Sequence, residues 1–415
     1  MLAAAAGALG AIGSDGLWLI PLGHLVAHGR LPGSIPFATA PTHWHNVPAG
    51  AELVFWALYR TLGGLRGLVL AQSVAAAAAF GILASGLRRQ GGDGPALVVA
   101  IVVLVGAIPA VVVVGVQLFS LVLFAALLAF LEAEPRRLWL AIPLVALWAN
   151  LHGGVLTGLG LLGCYVVFHR PRALPVLAGS VLAVFANPQL WHTPLYYKAV
   201  FDSALAREGK GMWAPLSLTP FDLVLVVAAL LLVAAAFIRG PHIHLWEAVA
   251  LVGLAAGTVH AARTGAWFLF VAAYPAARGL QLRAPRPKVV GAIAAVLGLV
   301  AVILLGKGPS DPGSHRLAAL AARDDAPVLA EPILGQQVAL AGGRVWVDNP
   351  VDAFHRADQQ LYLDWLDGHG RAAVTHAALV LVRPTSKAGK RAAADSRLHR
   401  IASDANAVLY RVSRG

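Results

Sequence analysis

The feature that most restricts the fold is a succession of apolar blocks with short basic loops between them. They run Gly67–Leu87, Pro95–Val114, Gln117–Leu131, Leu138–Asn150, Val155–Phe168, Leu174–Phe185, Phe221–Ile238, Trp246–Thr258, Ala266–Leu280 and Val289–Leu305. A helix crosses the hydrocarbon core of a bilayer with about 20 apolar residues. Several blocks are shorter, and Pro109 and Pro143 interrupt two of them. Short or broken spans are tolerated where they face protein or a cavity. The chain is 58% hydrophobic and only 13% charged, about half the charged fraction of an ordinary soluble domain. The reading is an α-helical polytopic membrane protein.

A further apolar segment, Met1 to Ile12, opens the sequence. As a helix it rises only about 18 Å. It has no basic leader and no convincing cleavage site, so it is not read as a signal peptide. Either the helix continues through Gly13-Ser14 or the protein begins upstream of Met1, and the second is favoured. Counting this segment, about eleven transmembrane segments are expected. The single cysteine, Cys164, lies in an apolar run and can form no internal disulfide.

The formal net charge is +12. Such a balance often signals nucleic-acid binding, but here the arginines gather in short loops, which is a topology signal, and no nucleic-acid partner is expected. Arg88-Arg89, Arg136-Arg137, Arg170 with Arg172, Arg239, and Arg278 to Lys288 fall on one side. That side is cytoplasmic by the positive-inside rule. The loop that begins at Asp15 is then outside, and so is the C-terminal region. The predominance of Arg, Ala and Gly fits a GC-rich bacterial genome, and the expected location is the cytoplasmic membrane.

Two domains are expected: residues 1–306 in the membrane and residues 307–415 outside it. The second is more polar. Its strand-like runs are Pro327–Ala330, Arg344–Val347, Ala377–Val382 and Asn406–Val412, with a helical stretch at Arg356–Leu366. This pattern predicts a small extracytoplasmic α/β domain. It holds no Gly-rich phosphate loop, no Cys/His metal spacing and no nucleophile elbow.

With this topology, unusual polar residues converge on the outer face. Asp15 ends the first segment. His152, in Trp148-Ala149-Asn150-Leu151-His152-Gly153-Gly154, lies where one short span turns back. Asn187-Pro188 opens a loop that runs to Trp213, and Arg263 follows another outer helix end. A boundary carboxylate can take a proton from an attacking hydroxyl. An arginine can hold a phosphate and stabilise the charge growing on it as a leaving group. Blander roles compete. Asp15 could cap a helix, His152 could serve its turn, Arg263 could snorkel to lipid headgroups, and Asn187-Pro188 could simply stop a helix. Trp18, Trp44, Trp191 and Trp213 fit an interfacial belt, although tryptophan also stacks on sugars. His43 and His45 resemble a metal pair, but His-Trp-His is a weak zinc spacing. No cofactor is assigned, and a divalent metal is unsupported.

Several motifs resemble a bacterial group within the GT-C superfamily of membrane glycosyltransferases. They are Asp15-x-x-Trp18, Gly23-His24, His28-Gly29-Arg30-Leu31-Pro32, Pro36-Phe37, Trp44-His45-Asn46, Glu52-Leu53 and Tyr59-Arg60-x-Leu62-Gly63-Gly64. Gln117-Leu118-Phe119-Ser120, Leu147–Gly154, Asn187-Pro188, Arg263 and Val347–Phe354 extend the resemblance along nearly the whole chain. It implies a multi-helix membrane fold, a polyprenyl-phosphate-linked sugar donor, an extracytoplasmic acceptor, and Asp15 as the catalytic residue of the first outer loop. Arg263 would bind donor phosphate. His152, His45, His43, Trp44, Asn187 and Trp213 would line the substrate site. Two departures stand out. Val47-Pro48-Ala49-Gly50 lies where the group often has an acidic residue and a Trp, and Gly115-Val116 replaces an Arg-Pro. Only one clear outer acid remains, with Glu52 a distant second. A retaining mechanism wants two close carboxylates, so direct inverting displacement is expected.

Two other readings belong to different classes. One is a non-catalytic partner in cell-envelope polysaccharide assembly or export that kept the fold, which the two departures favour. The other is a secondary transporter, which the broken spans suit. Against the transporter, no internal repeat is evident, and the polar residues gather at one face rather than at the midplane.

Overall fold

A computed structural model describes residues 1–13, 16–240, 242–284, 286–307, 313–370 and 372–413. The protein divides into two compact units, each assembled from separate stretches of chain. The first comprises Met1–Ala11, Thr61–Trp191 and Gly209–Pro309, and the second Ile12–Arg60, His192–Glu208 and Ser310–Gly415.

The first unit is helical. Every apolar block between residues 67 and 305 forms helix, and Leu65–Gly91, Pro220–Phe237 and Val290–Lys307 are long and apolar enough to cross a membrane. The others are shorter. Asp93–Gly106 and Ile108–Val112 are separated at Ala107, just ahead of Pro109. Pro109 has no N–H for helix bonding, and its ring restricts the residue before it. Pro143 does not interrupt its helix as expected. It sits in the first turn of Ala141–Ala149, where backbone N–H groups have no intrahelical partner in any case. The opening segment is helical only over Leu2–Gly7, a rise of about 9 Å. It is held by Ser73, whose hydroxyl donates to the Ala4 carbonyl at 2.8 Å.

The Gly265–Gly279 helix is the centre of this unit and is buried along most of its length. It packs against Leu65–Gly91, Asp93–Gly106, Pro220–Phe237 and Leu245–His260. Small residues allow that approach: a Cβ on Gly279 would lie 2.1 Å from the Ala235 carbonyl oxygen. Close backbone contact through Gly and Ala is how helices associate where lipid removes the hydrophobic driving force. Val227, Leu230, Leu231, Val252, Ile293, Val296 and Val302 point away from the packed interior, as lipid-facing side chains would. At the end of the central helix, Arg278 bridges Glu132 (3.1 Å) and Glu247 (2.5 Å) and donates to the His242 carbonyl at 3.0 Å. Two acids on one guanidinium tie three helices together.

The second unit is built on a five-stranded sheet. Its strands are β1 (Pro327–Ala330), β2 (Arg344–Val345), β3 (Leu379–Val382), β4 (Leu398–Ser403) and β5 (Val408–Val412), in spatial order β2-β1-β3-β5-β4. β1 is parallel to β2 and β3, and β5 is antiparallel to β3 and β4. The apolar runs of β1 and β3 are buried almost throughout, as parallel strands covered on both faces require. The helix Arg356–Leu366 forms at the residues expected. β4 has no counterpart in the sequence reading, because its residues are mostly exposed and polar.

The long loop after Ile12 is part of this unit. Beside β2, the Val345 N–H donates to the Phe37 carbonyl (2.8 Å) and the Thr39 N–H to the Val345 carbonyl (2.7 Å). The His43 N–H donates to the Ala353 carbonyl at 2.8 Å. The loop thus covers a sheet edge that would otherwise be open. Two helices of the loop, Leu19–Ala27 and Ala49–Thr61, meet at Gly23, where a Cβ would lie 2.0 Å from the Glu52 carbonyl oxygen.

Candidate functional site

In the first unit, three side chains form a chain of hydrogen bonds. The Trp148 indole N–H donates to Ser120 Oγ at 2.7 Å, and Ser120 Oγ lies 2.5 Å from His152 Nδ1. Ser120 comes from the Gln117–Glu132 helix, Trp148 from the end of Ala141–Ala149, and His152 from the turn before Val155–Phe168. Ser120 and Trp148 are fully buried. His152 lies in the turn between these two helices, not within either. Withdrawal from water, reinforced by the positive charge of Arg263, lowers its pKa to about 3. The imidazole is therefore neutral at any physiological pH.

Arg263, in the turn Ala262–Thr264 ahead of the central helix, is exposed. Its guanidinium carbon sits 4.0 Å from the centre of the Trp213 ring, and Nη1 is 2.8 Å from Met212 Sδ. Stacking on an indole fixes the plane of the guanidinium. Arg263, Trp213 and His152 thus gather a cation, an aromatic face and a neutral imidazole in one unit. Such a set suits an anion such as a phosphate.

A second polar group lies in the second unit. Asn46 Nδ2 donates to Glu52 Oε2 at 2.8 Å, and both residues are fully buried. Among the described residues, Asn46 Oδ1 and the indole nitrogen of Trp18 have no hydrogen-bond partner. Burial pushes the Glu52 carboxyl from the usual 4.5 up to about 7, against the opposing influence of Asn46 and Trp44 beside it. Trp44 is packed edge-to-face against Trp18 (5.8 Å) and Tyr196 (5.9 Å). It is a core residue of its unit. The His43 and His45 rings are 4.5 Å apart, with His43 exposed and His45 half-buried. Among the described residues, no three His, Cys, Asp or Glu side chains are grouped to hold a metal ion.

No protein-family profile matches the chain, and no curated protein sequence does. Solved structures do. The crystal structure of ArnT from Cupriavidus metallidurans bound to undecaprenyl phosphate is similar over 99% of this chain and 95% of its own, with a TM-score of 0.57 at 14% identity. The apo form of the same protein matches over 97% and 94%, with a TM-score of 0.54 and 14% identity. The chain has the ArnT fold.

The residues singled out from sequence divide between the units. His152, Arg263 and Trp213 fall in the first unit together, and His43, Trp44 and His45 in the second. Asn187, also in the first, serves its own turn: Nδ2 donates to the Val184 carbonyl (2.8 Å) and Oδ1 accepts from the Gln189 N–H (2.9 Å). Asp15 lies outside the described residues. Glu52, the second candidate acid, is a buried carboxyl bonded to Asn46. The sequence motifs contain Ser120 and Trp148 but assign them no role. The available signal was the four-residue step from Trp148 to His152, one helical turn.

Proposed function

We propose that this protein is a membrane glycosyltransferase that moves a sugar from a polyprenyl-phosphate donor to an acceptor on the extracytoplasmic side. The observation that carries this reading is the grouping of Arg263, Trp213 and His152 in a chain with the ArnT fold from end to end. The undecaprenyl phosphate bound to ArnT supports a lipid-linked donor.

In this mechanism the acceptor hydroxyl attacks the anomeric carbon of the donor. Asp15 takes the hydroxyl proton as the new bond forms. The bond between the anomeric carbon and the phosphate oxygen breaks, and its electron pair leaves with the lipid phosphate. Arg263, held flat on Trp213, neutralises the charge that grows there. A single carboxylate implies inversion at the anomeric carbon. His43 and His45 line the sugar or acceptor pocket, with Trp44 as packing beneath them. The basic loops support a location in the bacterial cytoplasmic membrane, with the α/β region outside.

The test uses membranes supplied with polyprenyl-phosphate-linked sugar. Asp15→Asn is expected to lower transfer by about 10²-fold or more. Arg263→Ala is expected to lower it while weakening donor binding. Full transfer by Asp15→Asn overturns the assignment of the base. Full transfer by both variants overturns the site.

A further inference from the structure

Trp148, Ser120 and His152 are linked in one direction only. An indole N–H can donate but not accept, so Ser120 Oγ is the acceptor from Trp148 at 2.7 Å. The serine hydrogen must go elsewhere. Ser120 has one other side-chain hydrogen-bond partner among the described residues, His152 Nδ1 at 2.5 Å. A second donor points at the same nitrogen: the Gly154 backbone N–H lies 3.3 Å from Nδ1. A protonated Nδ1 would face that N–H hydrogen to hydrogen and would leave the buried serine hydrogen unpaired. Nδ1 therefore accepts, and the ring proton of the neutral imidazole resides on Nε2. No hydrogen bond from Nε2 occurs among the described residues.

Two glycines make room for this arrangement. A Cβ on Gly154 would come within 2.8 Å of both His152 Nδ1 and Ser120 Oγ. A Cβ on Gly158 would lie 2.4 Å from the Trp148 ring. The two are one helical turn apart, so one notch at the start of the Val155–Phe168 helix seats both ends of the relay.

We infer that Trp148 and Ser120 are positioning residues that lock His152 as the Nε2–H tautomer, a neutral donor for a phosphate oxygen of the lipid-linked substrate beside Arg263. A neutral donor supplies a directed hydrogen bond without placing a second full charge next to the guanidinium. The assignment of the ligand rests on the function proposed above, whereas the tautomer stands on the hydrogen-bond geometry alone.

The experiment is in two arms on the full-length protein in nanodiscs. In the first, two-bond 1H–15N correlations of 15N-histidine-labelled protein report the His152 tautomer, with His152→Gln identifying its signals. The Nε2–H pattern is expected in the wild type. Trp148→Phe and Ser120→Ala should bring in the Nδ1–H form, with melting temperatures recorded to show that both variants fold. An Nδ1–H or doubly protonated ring in the wild type overturns the relay, as does an unchanged pattern in Ser120→Ala. In the second arm, binding of undecaprenyl phosphate is measured. Ser120→Ala is expected to weaken it about fivefold, the effect of one lost hydrogen bond, and His152→Gln by at least as much. Unaltered binding in both variants overturns the donor role of His152. A wild type that does not bind undecaprenyl phosphate refutes the proposed function, while the spectra still decide the tautomer.

Discussion

Glu52 shows how one buried group carries its own pH dependence. Its carboxyl is fully buried, bonded through one oxygen to Asn46, and raised to about 7. The folded value lies above the unfolded one, so between about pH 4.5 and 7 the folded state keeps a proton that the unfolded chain has released. The stability this group confers is fully present below about pH 4.5 and is lost as the pH rises through 7. A shift of this size corresponds to about 3 kcal/mol. Glu52→Gln, which keeps the shape and an acceptor for Asn46, should therefore melt higher than the wild type at pH 8 and close to it at pH 4.5. Thermal melting at the two pH values checks this, and an equal difference between variant and wild type at both removes Glu52 as the cause. Sequence alone ranked Glu52 low because a single acid in an amphipathic helix looks like a solvated one. Its burial comes from the close approach of Gly23 to its own backbone, a contact between residues 29 positions apart in the chain.

At the level of elements, continuous apolar runs locate the helices well and their ends less well. A long apolar run has little choice in lipid but to satisfy its backbone internally, so the blocks are helical, Pro95–Val114 as two helices. Pro143 did not break its helix because it fell in the first turn, and that depends on where the preceding turn ends. β4 was missed because an edge strand with one wet face carries little apolar signal. The helix Val155–Phe168 offers a controlled test of packing. Gly158 faces the fully buried Trp148, whereas a Cβ on Gly160 would meet nothing within 4 Å. Gly158→Ala should destabilise the protein by about 1–3 kcal/mol through overpacking. Gly160→Ala should be neutral or stabilising by up to about 1 kcal/mol. If the two variants melt alike, the notch does not seat the indole as described.

On the scale of the whole molecule, the second unit gathers stretches from three distant parts of the chain. The loop that begins after Ile12 is pinned at both ends of its course. The Leu17 N–H donates to Gln336 Oε1 at 3.1 Å, and the Phe37–Thr39 stretch pairs with Val345. The α/β region therefore holds the chain two residues from Asp15. Gln336→Met should leave the buried Leu17 N–H unpaired, at a cost of about 1–3 kcal/mol. Hydrogen exchange of a peptide covering residues 16–20 should accelerate, and sugar transfer should fall. Unchanged exchange at Leu17 would sink this positioning role. Contiguous residues are enough to specify a multi-helix membrane fold with a polar α/β region. Charge asymmetry and apolar length are properties of contiguous residues, and lipid permits few responses to them. The sequence also brings the polar motifs to notice. Which motifs meet is set by packing between distant segments. Ser120 and His152 are joined across 32 positions by a 2.5 Å bond, and the Asp15 loop is bound to the α/β region across 319. Hydrogen-bond direction and close backbone approach depend on distances of a few ångströms between remote residues, and no local pattern in the sequence encodes those.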